Sequence, residues 1–408
     1  MKSLRIVGAV FLAVILFGAG IGSGIYLDKQ HNPQNSNTIT VGTGTATDFQ
    51  LINQAWGLIK SKYVDQSAVI PQTMTYGAIS GMVDSLGDFG HSTFLSPTEI
   101  QQVNNAEQGQ LQGIGVEVQG KNGNVVVVAP IDGSPAQKAG LQSGDIILEV
   151  DGQPVSDVND AASRIQGPAG TSVTLTILET SGTTKTVTIV RAQINLVNVT
   201  WNTLPGTSIA HLRIASFASN VTGELDTALA AIKSQGDTGI ILDLRDNPGG
   251  LLDQAIGVAS RFLNSGNVLE EKDINGNIKK DPVLTNVPKT NLPMVVLINE
   301  GTASASEIVA GALQDAGRAK LVGETTFGTG TALEPFPLAD GSELLLGVSE
   351  WLTPSGKTIW HKGLTPDDVV SLATDVIPLY PEGEQGLTEA QIQSSGDQQL
   401  LDASNLLQ

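Results

Sequence analysis

Between residues 195 and 370 the chain alternates short apolar runs of strand length with segments of helical period, and this pattern restricts its fold most. Residues 239–244 and 294–299 have the composition of buried strands, and 344–351 adds another. Residues 251–263 and 303–316 follow the first two with helical spacing. Alternation of this kind implies a sheet layered with helices.

Both strand-to-helix junctions are made of small residues. The first reads Leu244-Arg245-Asp246-Asn247-Pro248-Gly249-Gly250. Pro-Gly-Gly is turn chemistry, but glycine N–H groups also approach a reacting carbonyl without side-chain obstruction, as an oxyanion cradle requires. The second runs from Asn299 through Thr302-Ala303-Ser304-Ala305-Ser306-Glu307. Ser304 falls at the helix entry, where free N–H groups and the macrodipole stabilise developing negative charge. The same residues also suit capping, with Thr302 or Ser304 as the cap and Ser306 and Glu307 in the first turn. Taken singly, neither junction decides between the two uses.

The N-terminus is of a different kind. Lys2 and Arg5 precede an uncharged apolar run over 6–27, about 22 residues and long enough to span a bilayer of about 30 Å. Basic residues on its N-terminal side keep that end in the cytoplasm and place the rest outside. The run reads as a signal anchor, with a cleaved signal peptide as the rival reading. Residues 28–47 are a polar linker. Residues 48–110 then have helical spacing, with Leu51, Ala55, Leu58 and Ile59 in one set and Ile79, Met82, Val83 and Leu86 in another, before Gly87-Asp88-Phe89-Gly90-His91-Ser92. The formal net charge of -19 disfavours nucleic acid as a partner. There is no cysteine, and the four histidines show no metal-ligand spacing.

Residues 111–194 are β-rich, with a hairpin signal at Ser181-Gly182 between the alternating runs 173–178 and 185–190. Within them, Ser134-Pro135-Ala136 to Ala139-Gly140-Leu141 and Gly144-Asp145-Ile146-Ile147 read as a short helix, capped by Ser134 and stopped by Gly140, and then a strand. This stretch resembles a PDZ domain of the bacterial protease type. Gly113-Ile114-Gly115-Val116 lies where such domains bind a peptide carboxylate, and the strand after it offers an edge to an extended peptide.

Together these motifs resemble the carboxyl-terminal processing proteases, serine peptidases of family S41. Further matches are Val322-Gly323-Glu324-Thr325-Thr326-Phe327-Gly328, Trp351-Leu352-Thr353-Pro354, Gly363-Leu364-Thr365-Pro366-Asp367 and the closing Asp397-Gln398-Gln399-Leu400. The resemblance implies an α+β or α/β multidomain chain: an N-terminal transmembrane helix, a helical segment, and a PDZ module ahead of a sheet-and-helix peptidase core of the ClpP/crotonase type. The boundaries are 1–27 anchor, 28–47 linker, 48–110 helical part of the protease domain, 111–194 PDZ, 195–372 peptidase core and 373–408 C-terminal segment. It implies Ser304 as nucleophile and Gly249, Gly250 and Ala305 as oxyanion donors, with no cofactor and no metal. Its partners would be polypeptides with apolar C-terminal tails, and the membrane through the N-terminal helix. A homo-oligomer is left open.

One departure stands out. The family's catalytic Lys lies 25 positions after the serine, where this chain has Thr329, and the Gln that orients it is replaced by Leu333. A Thr hydroxyl does not titrate near neutral pH and is no general base. His91, at the end of the helical segment, and His361, ahead of Gly363, are the candidates for that role, since imidazole titrates near 6.5. Two functions follow: a serine endopeptidase with a base other than Lys, or a peptide-binding pseudo-protease acting as scaffold or adaptor.

Overall fold

The computed structural model describes residues 46–408 apart from 89–91, 108–109, 122–123, 131–133, 143, 157, 180, 196, 374–375 and 377. The apolar run 6–27 lies outside the described residues; among those described, no helix is long and apolar enough to cross a membrane. Helices α1 (Ala46–Lys62) and α2 (Pro71–Asp84) form where the helical spacing places them. Pro71 begins α2, where a missing N–H costs nothing. Of the eight apolar residues that mark these helices only Val83 is buried. The period is therefore helical, but the face it marks is left uncovered by the described residues. The helical part 48–110 also contains a short strand that its spacing does not indicate: β1 (Thr93–Leu95) precedes helix α3 (Pro97–Glu107).

The β-rich module follows as β2 (Gln110–Gly113), β3 (Val116–Lys121), β4 (Asn124–Pro130), α4 (Pro135–Lys138), β5 (Ile146–Val150), β6 (Gln153–Pro154), α5 (Val158–Ile165), β7 (Ser172–Leu178), β8 (Thr184–Val190) and β9 (Ala192–Asn195). Its sheet runs β3-β4-β5-β7-β8, with β6 on β5, so β3 is an edge strand. Ser134 caps α4 by accepting the Gln137 N–H at 3.2 Å, as the Ser-Pro signal indicates. Alternate residues of β4, β5 and β7, among them Val127, Ile147, Leu175 and Ile177, are fully buried together. Strands β2 and β9 pair antiparallel, closing both ends of the module.

The remainder comprises β10 (Val199–Thr203), β11 (Ile209–Ile214), α6 (Val221–Gln235), β12 (Gly239–Asp243), α7 (Leu252–Phe262), β13 (Asn267–Asp273), β14 (Ile278–Pro282), β15 (Met294–Ile298), α8 (Ala305–Asp315), β16 (Lys320–Gly323), β17 (Thr331–Pro337), β18 (Glu343–Leu352), β19 (Asp368–Val369), α9 (Pro381–Glu384), α10 (Glu389–Gln393) and α11 (Gln398–Asn405). The central sheet runs β10-β11-β12-β15-β16-β19 and is parallel from β11 onward. On one face Ile240, Leu242, Val296 and Ile298 pack with Leu225, Val258, Phe262 and Val309 of α6, α7 and α8. On the other, Ile241, Val295 and Leu297 pack with Leu400 and Ala403 of α11. Burial on both faces is why these strands read as unbroken apolar runs. A second, antiparallel sheet orders β1-β18-β13-β14 with β17 on β18, so β1 joins the N-terminal segment to the core.

The C-terminal segment is held by a buried chain of charges. Glu384 meets His211 Nδ1 at 2.6 Å, and His211 Nε2 meets Asp243 at 3.0 Å. Asp243 and Asp397 then share Arg245. Glu384, His211, Asp243, Arg245 and Asp397 are all fully buried. Burial alone would lower the pKa of His211, but the Glu384 charge and the Asp243 hydrogen bond outweigh it and raise the pKa to about 9. The folded state thus binds the His211 proton more tightly. The resulting stabilisation is complete below the unfolded value of about 6.5 and is lost as pH rises through the folded value. We expect Tm to fall by roughly 3–6 °C between pH 7 and 9.5 in thermal scans. The decline should be absent from His211→Gln, whatever the starting stability of that variant.

Candidate active site

Strands β12, β15 and β16 are parallel neighbours, so their carboxyl ends reach the same edge of the sheet. Sites in such sheets form from the loops leaving that edge. Here the three loops are 244–251, 299–304 and 324–330, and they converge on Ser304.

Ser304 occupies φ 57° and ψ −122° at the start of α8. A non-glycine residue there costs on the order of 1–3 kcal/mol and persists only where its surroundings enforce it. Two acceptors do so. The Ser304 N–H donates to Glu307 Oε2 at 2.9 Å and to Thr329 Oγ1 at 3.1 Å. Every other residue from Thr302 to Leu313 is buried, and Ser304 alone is partly exposed. The capping arrangement is present in its Glu307 half: the carboxylate holds the Ser304 N–H, while the Glu307 N–H donates to the Ser304 carbonyl at 2.9 Å. The two uses of this junction are therefore compatible: the cap fixes the serine that the site presents. Ser306 is different. Its buried hydroxyl lies 2.7 Å from Asn247 O and 2.5 Å from Ala303 O, and its one proton is shared between these two acceptors.

The 244–251 loop lies directly against Ser304. Gly249 has φ +103°, and a Cβ there would stand 2.6 Å from Ser304 Cβ and 2.8 Å from the Ala305 nitrogen. Only glycine leaves that space open. The Gly249 N–H itself donates to Asn247 Oδ1 at 2.8 Å, so the expectation of Gly249 as an oxyanion donor is corrected: it supplies room, not a hydrogen bond. The N–H groups of Gly250 and Ala305, in contrast, have no acceptor among the described residues. Asn247 was not singled out from the sequence, yet it ties the loop in place. Its Nδ2 donates to Ile214 O at 2.7 Å, and its carbonyl accepts the Ala303 N–H at 2.9 Å.

The third loop brings Thr329 to the serine. Glu307, fully buried, accepts the Thr326 hydroxyl at 2.5 Å and the N–H groups of Gly328 and Thr329 at 2.8 and 2.9 Å. Burial raises the Glu307 pKa, against those donors. Sequence reading saw Glu307 only as a first-turn residue; its acceptor role needs contacts that spacing does not reveal. Neither Lys320 nor Lys357 takes the place of a lysine at 329. Lys320 and Lys357 sit near the surface, paired with Asp368 and Asp315.

The two candidate bases fare differently. His361 has φ +57° and is exposed, and its ring stacks on Trp360 with centroids 4.8 Å apart. Its N–H donates to Gly328 O at 2.9 Å, so its backbone joins the third loop, but none of the hydrogen bonds of Ser304 goes to it. His91 lies outside the described residues. Asp88 and Ser92, on either side, are described: Asp88 accepts the Ser92 hydroxyl at 2.6 Å, and Ser92 Oγ accepts the Gly347 N–H at 2.9 Å. A Cβ on Gly347 would be 3.3 Å from Thr331, two residues beyond Thr329.

The proposed carboxylate loop belongs to the β-rich module. The Ile114 and Gly115 carbonyls accept from the Ala136 N–H at 2.7 Å and the Ser134 hydroxyl at 2.9 Å. Ile114 and Val116 are buried, so this loop offers backbone to a ligand. Gly113 ends β2, Gly115 has φ +71°, and Val116 begins edge strand β3. Among the described residues no group of side chains is suited to hold a metal.

Comparison with known proteins agrees with this geometry. The model of peptidase family S41 matches residues 208–370, and a PDZ domain model matches 126–179. The carboxy-terminal processing protease CtpA of Bacillus subtilis is 34% identical over 355 residues, covering 86% of this chain and 75% of that protein. The carboxyl-terminal-processing protease of Synechocystis is 37% identical over 327 residues, covering 78% and 76%. Among solved structures, a photosystem II D1 C-terminal processing protease superposes with a TM-score of 0.56 at 30% identity, covering 83% of this chain and 96% of that one. Similarity of this extent, along most of both chains, makes this protein a PDZ-containing member of the carboxy-terminal processing proteases of peptidase family S41.

Proposed function

We propose that the chain is a membrane-anchored, extracytoplasmic endopeptidase that cleaves exported polypeptides through Ser304. One observation carries the reading: Ser304 is the one partly exposed residue between Thr302 and Leu313, held in a strained conformation beside two N–H groups that have no acceptor among the described residues. Ser304 Oγ attacks the scissile carbonyl carbon, and the N–H groups of Gly250 and Ala305 receive the oxyanion. The base takes the Oγ proton and passes it to the leaving amine as the C–N bond breaks. Water then hydrolyses the acyl-enzyme. Of the two histidines, His91 is the better candidate base, because its described neighbour Ser92 bonds to Gly347 of β18, the strand paired with the one that follows Thr329, whereas the His361 ring stacks on Trp360.

A second reading, a peptide-binding scaffold without turnover, is favoured by the Thr329 hydroxyl, which occupies itself with the Ser304 N–H and offers no base. A fluorophosphonate probe separates the two. An active enzyme is labelled at Ser304, and Ser304→Ala abolishes labelling and cleavage, while Ser306→Ala costs mainly stability. His91→Ala lowers kcat by about two to four decades and removes an acidic limb with an apparent pKa of about 6–7, with His361→Ala close to wild type. A folded wild type that resists the probe establishes the scaffold.

The PDZ domain binds the free C-termini of its ligands under this reading, with the 113–116 loop on the carboxylate and β3 pairing with the tail. Apolar-tailed peptides should lose at least about tenfold in affinity when amidated, as charge-assisted contacts are removed. Calorimetry giving equal Kd for acid and amide excludes the loop as the carboxylate site.

Placement outside the cytoplasm is supported by Lys2 and Arg5 ahead of the apolar run 6–27. Alkaline phosphatase fused after Gln408 should be active in an exporting bacterium. A well-expressed but inactive fusion reverses the topology.

A further inference from the structure

The C-terminal segment grips the loop that carries the Gly250 N–H, and does so from the side away from Ser304's own helix. Arg245 opens that loop and is completely buried. Its guanidinium has five N–H donors, and the structure satisfies them. Nε donates to Asp243 at 3.0 Å, and Nη2 donates to Asp243 at 2.7 Å and to Leu379 O at 3.2 Å. Nη1 donates to both oxygens of Asp397 at 2.9 Å and to Gln399 Oε1 at 3.1 Å. Three of these four partners come from the last thirty residues. Asp397 is itself oriented by the N–H groups of Leu379 at 2.8 Å and Leu400 at 3.0 Å.

The next residue is gripped in the same way. Asp246 has φ +54° and sits outside any regular element. Its carboxylate accepts the Tyr380 hydroxyl and Asn299 Nδ2, the latter at 2.9 Å, and its N–H donates to Asn299 Oδ1 at 2.9 Å. The Tyr380 ring is fixed in turn beneath the Arg213 guanidinium, 3.5 Å from its centroid. Residues 379–399 therefore share the side chain of Arg245 with Asp243 and that of Asp246 with Asn299, while Asn247 is tied to Ile214 and to the nucleophile loop. A loop of turn residues has little intrinsic preference for one geometry, and the placement of an oxyanion donor must be accurate to a fraction of an ångström for full effect.

We propose that the C-terminal segment is a positioning element for the oxyanion loop, with Tyr380 holding Asp246 and Asp397 holding Arg245 so that the Gly250 N–H stays aimed at the reacting carbonyl. The proposal rests on the serine-peptidase reading for its catalytic meaning, while the mechanical claim stands on the contacts themselves. Tyr380 and Asp397 touch no substrate and act through the loop.

The test uses the full-length protein and two variants, Tyr380→Phe and Asp397→Asn. Tyr380→Phe removes one hydroxyl and keeps the ring under Arg213, so it carries the test if Asp397→Asn fails to fold. Hydrogen–deuterium exchange should speed up at least about tenfold in peptides covering 244–251 and stay unchanged in the central strands. The fluorophosphonate labelling rate should fall about tenfold or more, with PDZ peptide affinity and the Tm of Tyr380→Phe close to wild type. Unchanged loop exchange in a folded variant overturns the proposal, and so does faster exchange spread evenly through the core, which marks a merely structural role. Wild type that exchanges as expected but is never labelled retires the peptidase reading while the exchange data still decide the clamp.

Discussion

A buried carboxylate without an ion pair among the described residues is the interaction on which the site depends. Glu307 accepts N–H groups from Ser304, Gly328 and Thr329 and the hydroxyl of Thr326. Its donors belong to two loops that leave neighbouring strands, so one side chain fixes their separation. Neutral partners in this number are what a fully buried carboxylate requires in place of a cation. The strained backbone of Ser304 is then enforced from outside the serine. The loop before it is braced as well, by Asn247 on the carbonyl of Ile214 and by Thr302 on that of Leu244 at 2.8 Å.

This frame explains how the chain keeps the family's shape with Thr329 in place of Lys. The backbone of the 326–329 loop is set by Glu307 and by the Phe327 N–H donating to Thr302 O at 3.0 Å, and neither contact depends on the side chain at 329. The position still faces the serine, and its hydroxyl takes a share of the Ser304 N–H. The backbone of the 326–329 loop is therefore independent of the side chain at 329, whereas the second acceptor of the Ser304 N–H is the Thr329 hydroxyl itself. The same arrangement serves a peptidase with a base other than Lys and a binding protein, two cases that reactivity separates.

The three-loop site and the C-terminal clamp meet at one edge of the parallel sheet. Glycine is needed at 249 because the loop presses on Ser304, and at 250 because a Cβ would stand 2.5 Å from Phe217 O. On the opposite side, α11 covers the second face of the sheet through Leu400 and Ala403. The last segment of the chain is therefore part of the core's packing and of the loop's support at once.

Much of this was legible from residues alone. Apolar runs flanked by glycine-rich junctions located β12, α7, β15 and α8 to within a residue or two, because strands buried on both faces leave a continuous signal. Ser-Pro-Ala and Gly-Asp-Ile-Ile located the short PDZ helix and the strand after it, because cap and turn chemistry is local. The ordered motifs identified the family, and counting from Ser304 exposed Thr329. Tertiary structure alone decided the rest. The apolar faces of α1 and α2 were legible as helical, but whether anything covers them is a matter of contact, not of period. Gly249 and Gly250 look equivalent in the sequence, and only the folded contacts show that the Gly249 N–H is engaged by Asn247 while that of Gly250 has no acceptor among the described residues. His211, Arg245, Tyr380 and Asp397 lie up to 186 positions apart in the chain (about the length of a domain) and carry no shared local pattern. Sequence records propensities that act within a few residues. Hydrogen bonds between distant loops form only where the sheet brings the strand ends together, and those bonds decide which groups remain free to act.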